Sequence, residues 1–355
     1  MTLSEIAESF QIPSGNLIIS DFGGGHLHKT YRVKGDFKTD FILQNLNTFV
    51  FRKPHQLMDN AMRITEHLKE KMGNKNPDWE IIEFIPLKDN SYLFIDEENN
   101  YWRMFRYISN TPPNSVNIEL VRKAGQAYGN FIRLLSDLPP PALFETIPNF
   151  HDLEYRIEQF RSTCREGMKE RIIESDEQIN VVENFREEMM ILPRLLKMGK
   201  LTKRTTHNDT KIDNILFDKE LNVRSVIDLD TVMPGLVHSD FGDAIRSFGN
   251  SAPEDEPEKS SIYLRMDVFE KFAQGFLESL KDDLLEEEKQ TLIYAPSMFA
   301  YMQGIRFLND YLMGDPYYKT RYEKHNLIRA KNQFTLLFSM KKEEDKMKRI
   351  IDRLI

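Results

Sequence analysis

The chain has very little cysteine, and this limits the chemistry open to it. Cys164 is the single cysteine among 355 residues, so the sequence excludes an intramolecular disulfide framework and a multi-cysteine zinc site. Cys164 lies in the charged stretch RSTCREGMKE without an obvious activating partner. That setting is typical of a passive residue rather than a nucleophile.

The sequence also lacks the usual marks of membrane and nucleic-acid-binding proteins. No stretch approaches the roughly 20 apolar residues that cross a bilayer, and the first residues, MTLSEIAESFQIPSG, carry acids instead of the apolar core of a signal peptide. The net charge is -8 and no basic stripe stands out. We therefore expect a cytoplasmic protein that binds neither membrane nor nucleic acid, as a monomer or a weak homodimer.

The pattern of apolar residues before residue 109 is mostly that of strands. GNLIISDFGGGHLHKTYRVKG, DFILQNLN, WEIIEFIPL, SYLFID and YWRMFRYI predict strands, with DEENN as the hairpin turn between the last two. One helix interrupts them; it opens at Pro54, and Gly73 is its expected stop.

The Pro/Asn/Ser cluster SNTPPNS, at residues 109–115, is the predicted hinge. Beyond it, NIELVRKAGQAYGNFIRLLSDL predicts a long amphipathic helix, and further helices follow except for a β-rich island at residues 205–230. The length of 355 residues also favours more than one compact core. The sequence thus predicts an α+β, bilobal fold with a small β-rich N-lobe at 1–108 and a large, mostly helical C-lobe at 116–355.

The stretch THNDTKIDNILFD holds the residues best suited to catalysis. His207, Asp209 and Asn214 stand in the order H-x-D-x-x-x-x-N, an apolar strand follows, and a second strand, VRSVI, leads to Asp228. Phosphoryl transfer needs a carboxylate that accepts the proton of the attacking hydroxyl, and oxygen ligands that hold Mg²⁺ against the phosphates. Since H-x-D and Asp–Asn pairs also occur in ordinary turns, the hypothesis depends on the whole ordered set.

In these residues the sequence resembles the aminoglycoside-phosphotransferase-like family of small-molecule kinases, which has a protein-kinase-like fold. HNDTKIDNILFD and VIDLD match the family patterns H-x-D-x-x-x-x-N and I-D-x-D/E. The resemblance implies an enzyme that uses ATP and Mg²⁺. It implies Asp209 as the catalytic base, Asn214 and Asp228 as magnesium ligands, and His207 as a structural member of the loop.

Other stretches resemble, within that family, the sugar 1-kinases that phosphorylate N-acetylhexosamines. They are TYRVKGDFKTDFILQNLNTFVF, LPPPALFETIPNFHDLEYRIEQF, VIDLDTVMPGLVHSDFGDAIRS and the more specific GIRFLNDYLMGDPYYKTRYEKHNLIRAKNQ. The implied acceptor is the 1-hydroxyl of N-acetylglucosamine or N-acetylgalactosamine. The implied sugar contacts are Asp209 and Arg306, with Tyr301 or Tyr317. An alternative remains open, in which this helix is core and Arg306 with Asp310 forms a surface ion pair.

The glycine-rich stretch GGGHLHKTY fits a loop that covers phosphates, because glycine lets backbone N–H groups approach phosphate oxygens closely. A hairpin turn with exposed histidines is the alternative. His26 and His28 on this loop are within reach of a sugar or a phosphate in the first case. The candidates for nucleotide binding are Gly23, Gly24, Gly25 and, on the strand that enters the hinge, the backbone of Phe105 and Tyr107.

One position departs from the protein-kinase pattern. Strand three of protein kinases carries a lysine that grips the α- and β-phosphates, whereas the strand FILQ places Gln44 there. Gln44 can hydrogen-bond phosphate but supplies no charge, so we expect another cation, such as Lys29, Arg32 or Lys34. Glu66 on the following helix is the candidate acidic partner; without a lysine to pair with, an exposed surface position suits it equally.

Two acidic triplets lie close together in VIDLDTVMPGLVHSDFGDAIRS. The first, DLD, follows an apolar strand, and the second spells the DFG of protein kinases. No strand precedes the second, so Asp240 is expected to cap the helix that begins there, and the resemblance implies that it braces the catalytic loop. The metal is therefore assigned to the first triplet. Asp230 is either a further metal ligand or a bystander.

Alternative functions stay open at this point. A kinase of an amino alcohol, a methylthio-sugar or an aminoglycoside would have an acidic pocket, which the net charge of -8 permits. A nucleotide-binding pseudokinase would lack the base or a metal ligand, and only Gln44 favours it. A sulfatase-type hydrolase would need C-x-P-x-R, but Cys164 stands in CREGM.

Overall fold

The computed structural model describes residues 1–23, 27–73, 79–111 and 117–355. The helices are α1 (Leu3–Glu8), α2 (Pro54–Met72), α3 (Ile118–Leu134), α4 (Leu153–Glu166), α5 (Lys169–Glu174), α6 (Asp176–Met189), α7 (Ile191–Lys197), α8 (Val237–Phe248), α9 (Met266–Leu280), α10 (Glu286–Thr291), α11 (Ala295–Leu312), α12 (His325–Lys342) and α13 (Glu344–Leu354). The strands are β1 (Ile18–Asp21), β2 (Lys29–Lys34), β3 (Phe41–Asn45), β4 (Phe94–Ile95), β5 (Tyr101–Arg106), β6 (Arg204–Thr206), β7 (Ile215–Phe217), β8 (Val223–Val226) and β9 (Met233–Gly235).

The chain forms two compact units. The first consists of Met1–Asn114, Asp137–Pro148 and Asn214–Pro234, and the second of Ser115–Ser136, Asn149–Asp213 and Gly235–Ile355. Residues 112–115 of the predicted hinge lie outside the described residues, so the hinge stays a prediction.

The first unit is built on a five-stranded antiparallel sheet with the strand order β1-β2-β3-β5-β4. The hairpin predicted at DEENN joins β4 to β5, and Asp96 fixes it by accepting the backbone N–H groups of Glu98 and Asn100. Val33, Leu43 and Met104, from three adjacent strands, are fully buried in the core of this unit.

Helix α1 was missed by the pattern analysis, although its sequence holds a start signal. Thr2 and Glu5 form a capping box, in which each side chain accepts the backbone N–H of the other residue. Ile6, Ala7 and Phe10 pack into the sheet core, with at most 2% of each residue exposed. A helix of 6 residues is too short for apolar periodicity to reveal it.

The strand predicted at WEIIEFIPL is wrong. The segment is apolar because Ile82, Ile85 and Leu87 are buried, but it pairs with β5 only through an isolated bridge, Phe84 to Phe105. Beyond this bridge the pairing with β5 stops, and the Leu87 N–H is donated instead to the Ser91 carbonyl oxygen at 2.7 Å.

Helix α2 agrees with its prediction at both ends. Pro54 is its first residue, and Gly73 ends it with φ of +48°, a conformation that glycine adopts without a steric penalty. Leu57, Ala61, Ile64 and Leu68, which follow one another at helical spacing, are all buried. Glu66 is exposed on the opposite face, as in the alternative given for it.

Helices dominate the second unit, as predicted for this part of the chain. Helices α3 and α9 approach so closely that a Cβ at Gly125 would lie 2.4 Å from the Phe272 carbonyl oxygen, and one at Gly275 only 2.0 Å from that of Arg122. Two glycines on facing helices therefore set this packing distance. Helix α11, buried over most of its length, packs against α12, α8 and α4.

Candidate active site

The loop after β6 is fixed by a buried carboxylate of the second unit. Asp240 Oδ2 accepts the backbone N–H of His207 at 2.8 Å, and Oδ1 accepts that of Asn208 at 2.6 Å. The Asp240 carbonyl oxygen accepts the Thr210 hydroxyl at 2.8 Å. Asp240 thus braces this loop. The capping prediction is wrong, because α8 begins at Val237, and Asp240 lies in its first turn.

The pKa of Asp240 is raised to about 6. Burial is the largest cause, and the His207 ring and the two backbone N–H groups lower the pKa without outweighing it. The carboxylate is therefore ionised near neutral pH, and it becomes protonated under mildly acidic conditions.

His207 is fully buried, and its ring meets the edges of two aromatic rings, Tyr128 at 5.4 Å and Phe131 at 5.5 Å between centroids. Its Nδ1 accepts the backbone N–H of Asp209 at 3.3 Å. These contacts suit the structural role proposed for His207, since the ring supports the backbone at the next functional residue.

The carboxylate of Asp209, in the same loop, is partly exposed. About 23% of its side chain is exposed, and Oδ2 lies 2.8 Å from the ammonium of Lys211, itself 40% exposed. The Asp209 carboxylate is thus paired with a cation and is partly exposed. The Lys211 backbone is held in turn, because its carbonyl oxygen accepts the Tyr128 hydroxyl at 2.7 Å.

Asp243, a buried acid one residue past the DFG triplet, was not among the residues singled out from the sequence. Arg246 donates to Asp243 from both Nε, at 2.9 Å, and Nη2, at 2.8 Å. Burial raises the pKa of Asp243, and the nearby charge of Asp209 raises it further. The i,i+3 spacing of Asp243 and Arg246 on a helix was visible in the sequence.

Two arginines of the second unit meet at Phe150. Arg156 donates to the Phe150 carbonyl oxygen at 3.2 Å, and the guanidinium of Arg306 lies 5.1 Å from the centre of the Phe150 ring. Their other hydrogen-bond acceptors are the neutral amides of Gln159 and Gln303. Within the described residues neither arginine makes an ion pair, so this pair of cations lacks a carboxylate counterion.

The cation pair lies close to the loop that carries Asp209. His151 stacks on Phe150 with ring centroids 4.3 Å apart and is hydrogen-bonded to the side chain of Asn208, which is the residue before Asp209. Burial and then the charge of Arg306 hold the pKa of His151 well below its usual range. The His151 ring is therefore neutral, and among the residues that the structure describes its buried Nδ1 has no hydrogen-bond partner.

The sugar contact predicted for Tyr301 is wrong. Tyr301 is fully buried, and its hydroxyl donates to the Val182 carbonyl oxygen at 2.6 Å. The ion pair considered for Arg306 and Asp310 is also wrong, because Asp310 accepts the backbone N–H groups of Tyr317 and Tyr318, each at 2.9 Å. Tyr317 is 46% exposed and its contact with a sugar stays a prediction.

In the first unit, Asn214 and Asp228 lie at the start and the end of the β7–β8 hairpin. Asn214 is 4% exposed, and its carbonyl oxygen accepts the backbone N–H of Ile227 at 2.9 Å. Asp228 follows with φ of 61° and ψ of 60°, in the left-handed region. One amide oxygen and one carboxylate form the sparse donor set that suits Mg²⁺, which keeps phosphate and water ligands.

Asp230 is not available as a metal ligand. It is 1% exposed, and Arg103 donates to both of its oxygens, at 2.6 Å from Nη1 and 2.7 Å from Nη2. His28 Nε2 lies 2.6 Å from Oδ2. Burial alone would raise the pKa of Asp230, but the charge of Arg103 and the bonds from His28 and Arg103 hold it well below its usual range. Asp230 is thus a buried counterion.

This arrangement also corrects the prediction for His28. Its Nδ1 accepts the backbone N–H of Asn47 at 3.0 Å, so the neutral ring carries its proton on Nε2 and donates to Asp230. Both ring nitrogens are used within the protein. A substrate contact through His28 would require these bonds to break.

Gln44 has a cation beside it, from a residue that sequence analysis did not consider. Arg103, directly opposite Gln44 in the β3–β5 register, donates to Gln44 Oε1 from Nε at 3.0 Å and from Nη2 at 2.9 Å. Of the cations expected there, Arg32 is paired with Asp40 at 2.6 Å, and Lys29 and Lys34 are exposed.

The nucleotide contacts predicted from the glycine loop and the hinge strand have mixed outcomes. Gly23 has φ of +76° and open space around it, while Gly24, Gly25 and His26 lie outside the described residues. The backbone N–H of Tyr107 is donated to Asp40 at 2.9 Å, and Phe105 is paired with Ile42 inside the sheet. The Tyr107 N–H is therefore not free for adenine.

Comparison with solved structures identifies the fold as kinase-like, with a small antiparallel sheet in the N-lobe and a mostly helical C-lobe. The chain is similar to a microcompartment-associated aminopropanol kinase, with 13% identity, a TM-score of 0.66 and 97% of each chain covered. It is also similar to an aminoglycoside phosphotransferase from Alicyclobacillus acidocaldarius, with 9% identity, a TM-score of 0.61 and coverage of 98% of this chain and 97% of that one. A third is amicoumacin kinase in complex with AMP-PNP, Ca²⁺ and Ami, with 12% identity, a TM-score of 0.59 and coverage of 92% and 88%.

The family itself is defined by sequence. The chain belongs to the phosphotransferase enzyme family (APH), whose profile matches residues 18–271. The protein is therefore a small-molecule phosphotransferase, and the predicted fold class and family are confirmed. In the described ranges, no helix has the length and apolar character needed to cross a membrane.

Proposed function

We propose that the protein transfers the γ-phosphoryl group of ATP to the 1-hydroxyl of an N-acetylhexosamine. The observation that carries the transfer chemistry is the partly exposed Asp209 carboxylate in a loop braced by Asp240. The choice of acceptor is supported by the Arg156 and Arg306 pair near that loop, and by the resemblance of the C-terminal stretch to sugar 1-kinases.

Asp209 accepts the proton of the acceptor hydroxyl as the sugar oxygen attacks the γ-phosphorus. The new O–P bond forms while the bond from phosphorus to the β,γ-bridging oxygen breaks, so the products are a sugar 1-phosphate, ADP and one proton. General-base catalysis of this kind contributes about 10²–10⁴-fold to the rate. The bracing of the loop backbone keeps the carboxylate in place for it.

Asn214 and Asp228 are the residues proposed to hold Mg²⁺ with the nucleotide. When bound, the ion neutralises charge on the phosphate oxygens. Asn214 supplies a neutral oxygen and Asp228 a charged one. Because only one protein carboxylate is offered, most of the coordination sphere is left to phosphate and water.

The arginine pair favours an uncharged acceptor over an amino alcohol or an aminoglycoside. Arg156 has its pKa lowered to about 10, first by burial and then by the charge of Arg306, and it remains charged at neutral pH. Guanidinium N–H groups donate well to the carbonyl oxygen of an acetamido group. An ammonium group in the same place would be repelled by these two cations.

The acceptor is tested by offering the protein ATP, Mg²⁺ and a panel of free acceptors. The panel contains N-acetylglucosamine, N-acetylgalactosamine, glucose, ethanolamine, a methylthio-sugar and an aminoglycoside. Phosphorus NMR of the products should show a sugar 1-phosphate, recognised by coupling to the anomeric proton, from the N-acetylhexosamines. Phosphorylation of ethanolamine or of the aminoglycoside alone would refute the proposed acceptor and favour the amine kinases.

The base is tested by Asp209→Asn, with Asp213→Asn as the control. Asp213 is an exposed acid in the same stretch of chain. We expect kcat to fall about 10²–10⁴-fold in the first variant and to stay near wild type in the second, with ADP affinity unchanged in both. A wild-type kcat in Asp209→Asn would exclude Asp209 as the base.

The cation pair is tested by Arg306→Met, with Arg165→Met as the control. Arg165 is an exposed arginine on α4, the helix that also carries Arg156. Loss of a charged hydrogen-bond donor should raise KM for the sugar about tenfold or more and leave KM for ATP unchanged. Equal changes in both constants would point to general damage instead.

A further inference from the structure

The position that carries a phosphate-gripping lysine in protein kinases is occupied here by a neutral amide that holds an arginine of the next strand. Gln44 is hydrogen-bonded through Oε1 to Arg103, and its Nε2 donates to the Thr30 hydroxyl at 3.2 Å. The amide of Gln44 therefore orients the guanidinium of Arg103.

Arg103 does not present its charge to a ligand. Its side chain is 5% exposed, Nε and Nη2 donate to Gln44, and Nη1 and Nη2 donate to the two oxygens of Asp230. A bidentate pair of this kind fixes both position and orientation of the carboxylate. Any effect of Arg103 on a ligand must therefore pass through Asp230.

The short segment from Ile227 to Asp230 is held at both ends. The backbone N–H of Ile227 bonds to the Asn214 carbonyl oxygen at 2.9 Å. At the other end, the Asp230 side chain is held by Arg103 and His28, and its carbonyl oxygen accepts the Thr146 hydroxyl at 2.7 Å. Between these anchors only two residues remain.

One of those two residues is Asp228, whose φ of 61° is uncommon for any residue other than glycine. Such a conformation is strained and persists only where the surrounding structure imposes it. The two anchors supply that constraint. They fix the backbone from which the proposed magnesium ligand projects.

We propose that the buried cluster of Arg103, Asp230, His28 and Gln44, here called the arginine cluster, positions Asp228 for the metal–nucleotide complex. The cluster lies at the position of the strand-three lysine of protein kinases, but it acts by orienting the metal ligand and does not touch phosphate. The inference rests on the proposed role of Asp228 in Mg²⁺ binding. Arg103 is accordingly a positioning residue.

The test measures ADP binding by calorimetry with Mg²⁺ present and with EDTA present. The variant Arg103→Met/Asp230→Asn removes both charges, so neither is left buried without a partner. Arg106→Met is the matched control, because Arg106 is an exposed arginine on the same strand, paired with Glu83. Circular dichroism and thermal unfolding show whether each variant is folded.

We expect the double variant to bind Mg·ADP about 10–100-fold more weakly, the range found when residues that orient a metal ligand are lost. Binding of ADP in EDTA should hardly change, and Arg106→Met should match wild type in both conditions. Asp228→Ala should show the same metal-dependent loss. The milder variant Arg103→Lys, which keeps the charge but cannot bridge both oxygens of Asp230, should lie between wild type and the double variant.

Equal weakening with and without metal would overturn the inference, because it would mean a direct phosphate contact or a damaged nucleotide site. Unchanged Mg·ADP affinity in the double variant, or failure of the wild-type chain to bind Mg·ADP at all, would overturn it too. The acceptor panel does not enter this measurement. If no N-acetylhexosamine is phosphorylated but the metal-dependent loss is found, the proposed acceptor fails while the arginine cluster keeps its role.

Discussion

Asp230 and Asp240 make a controlled comparison between the two units. Each is the acid of one of the two neighbouring triplets, each is buried to 1% exposure or less, and each accepts hydrogen bonds on both carboxylate oxygens. Yet the pKa of Asp230 is lowered far below its usual range, and that of Asp240 is raised to about 6.

The difference lies in the charge of the donors. Asp230 is bound by the guanidinium of Arg103, whose charge offsets the desolvation of the buried carboxylate. Asp240 is bound by two neutral backbone N–H groups, which offset its desolvation only in part. Neither residue is suited to hold a metal. Burial of an acid therefore does not by itself indicate function; the identity of its partners does.

The strongest test of the comparison is Asp230→Asn. The substitution keeps the shape of the side chain but leaves Arg103 buried without a counterion, so we expect the free energy of unfolding at pH 7 to fall by about 3–5 kcal/mol. Urea denaturation measures it, and Arg103→Met/Asp230→Asn should recover much of the loss. A loss below 1 kcal/mol in Asp230→Asn would mean that the cluster is hydrated.

The second test uses pH, where the raised pKa of Asp240 predicts a definite sign. Its pKa in the folded state, about 6, exceeds the ordinary value of 3.8, so the folded protein binds the proton more tightly than the unfolded chain. The contribution of Asp240 to stability therefore falls as pH rises from about 4 to about 6, by about 3 kcal/mol in total.

The variant Asp240→Asn isolates this contribution. The difference in unfolding free energy between wild type and Asp240→Asn should become about 3 kcal/mol less favourable to wild type between pH 4 and pH 7. Denaturation at several pH values gives the difference. A constant difference would show that the donors compensate the burial of Asp240 completely, as they do at Asp230.

A smaller effect is expected at the neutral partners of Asp230. Thr146→Val removes the hydroxyl that donates to the Asp230 carbonyl oxygen, while the volume is nearly kept, and should cost about 1–3 kcal/mol because a buried carbonyl loses its donor. Urea denaturation at pH 7 is again the measurement. Thr335→Val is a suitable control, since its hydroxyl donates within α12 to the Lys331 carbonyl oxygen, far from the cluster in sequence. If both variants lost the same free energy of unfolding, the hydrogen bond to the Asp230 carbonyl oxygen would have no special importance for stability.

Local signals made much of the fold predictable from sequence. Helix α2 starts at a proline and ends at a glycine, and α3 follows an asparagine whose side chain caps it. His207, Asp209, Asn214 and Asp228 all lie within 22 consecutive residues. Their order and spacing in the sequence were therefore sufficient to propose the site.

The parts that escaped prediction depend on distant partners. Arg103 and Asp230 are 127 residues apart, and Gln44 meets Arg103 only because β3 pairs with β5 across an intervening helix and strand. The sequence left open whether the helix that carries Tyr301 lies in the core or faces a ligand, and the packing of α11 buries Tyr301 in the core. Register and packing of this kind are set by tertiary structure and have no local signature.

The left-handed backbone at Asp228 has a consequence for how this position can change in sequence. Among residues other than glycine, asparagine and aspartate enter that conformation most readily. Glutamate would carry the same charge, but its backbone would be more strained in this conformation. The backbone conformation therefore limits which residues fit at position 228, whatever their ability to bind a metal. Asparagine fits with the least steric strain, so Asp228→Asn should keep the fold while removing the negative charge.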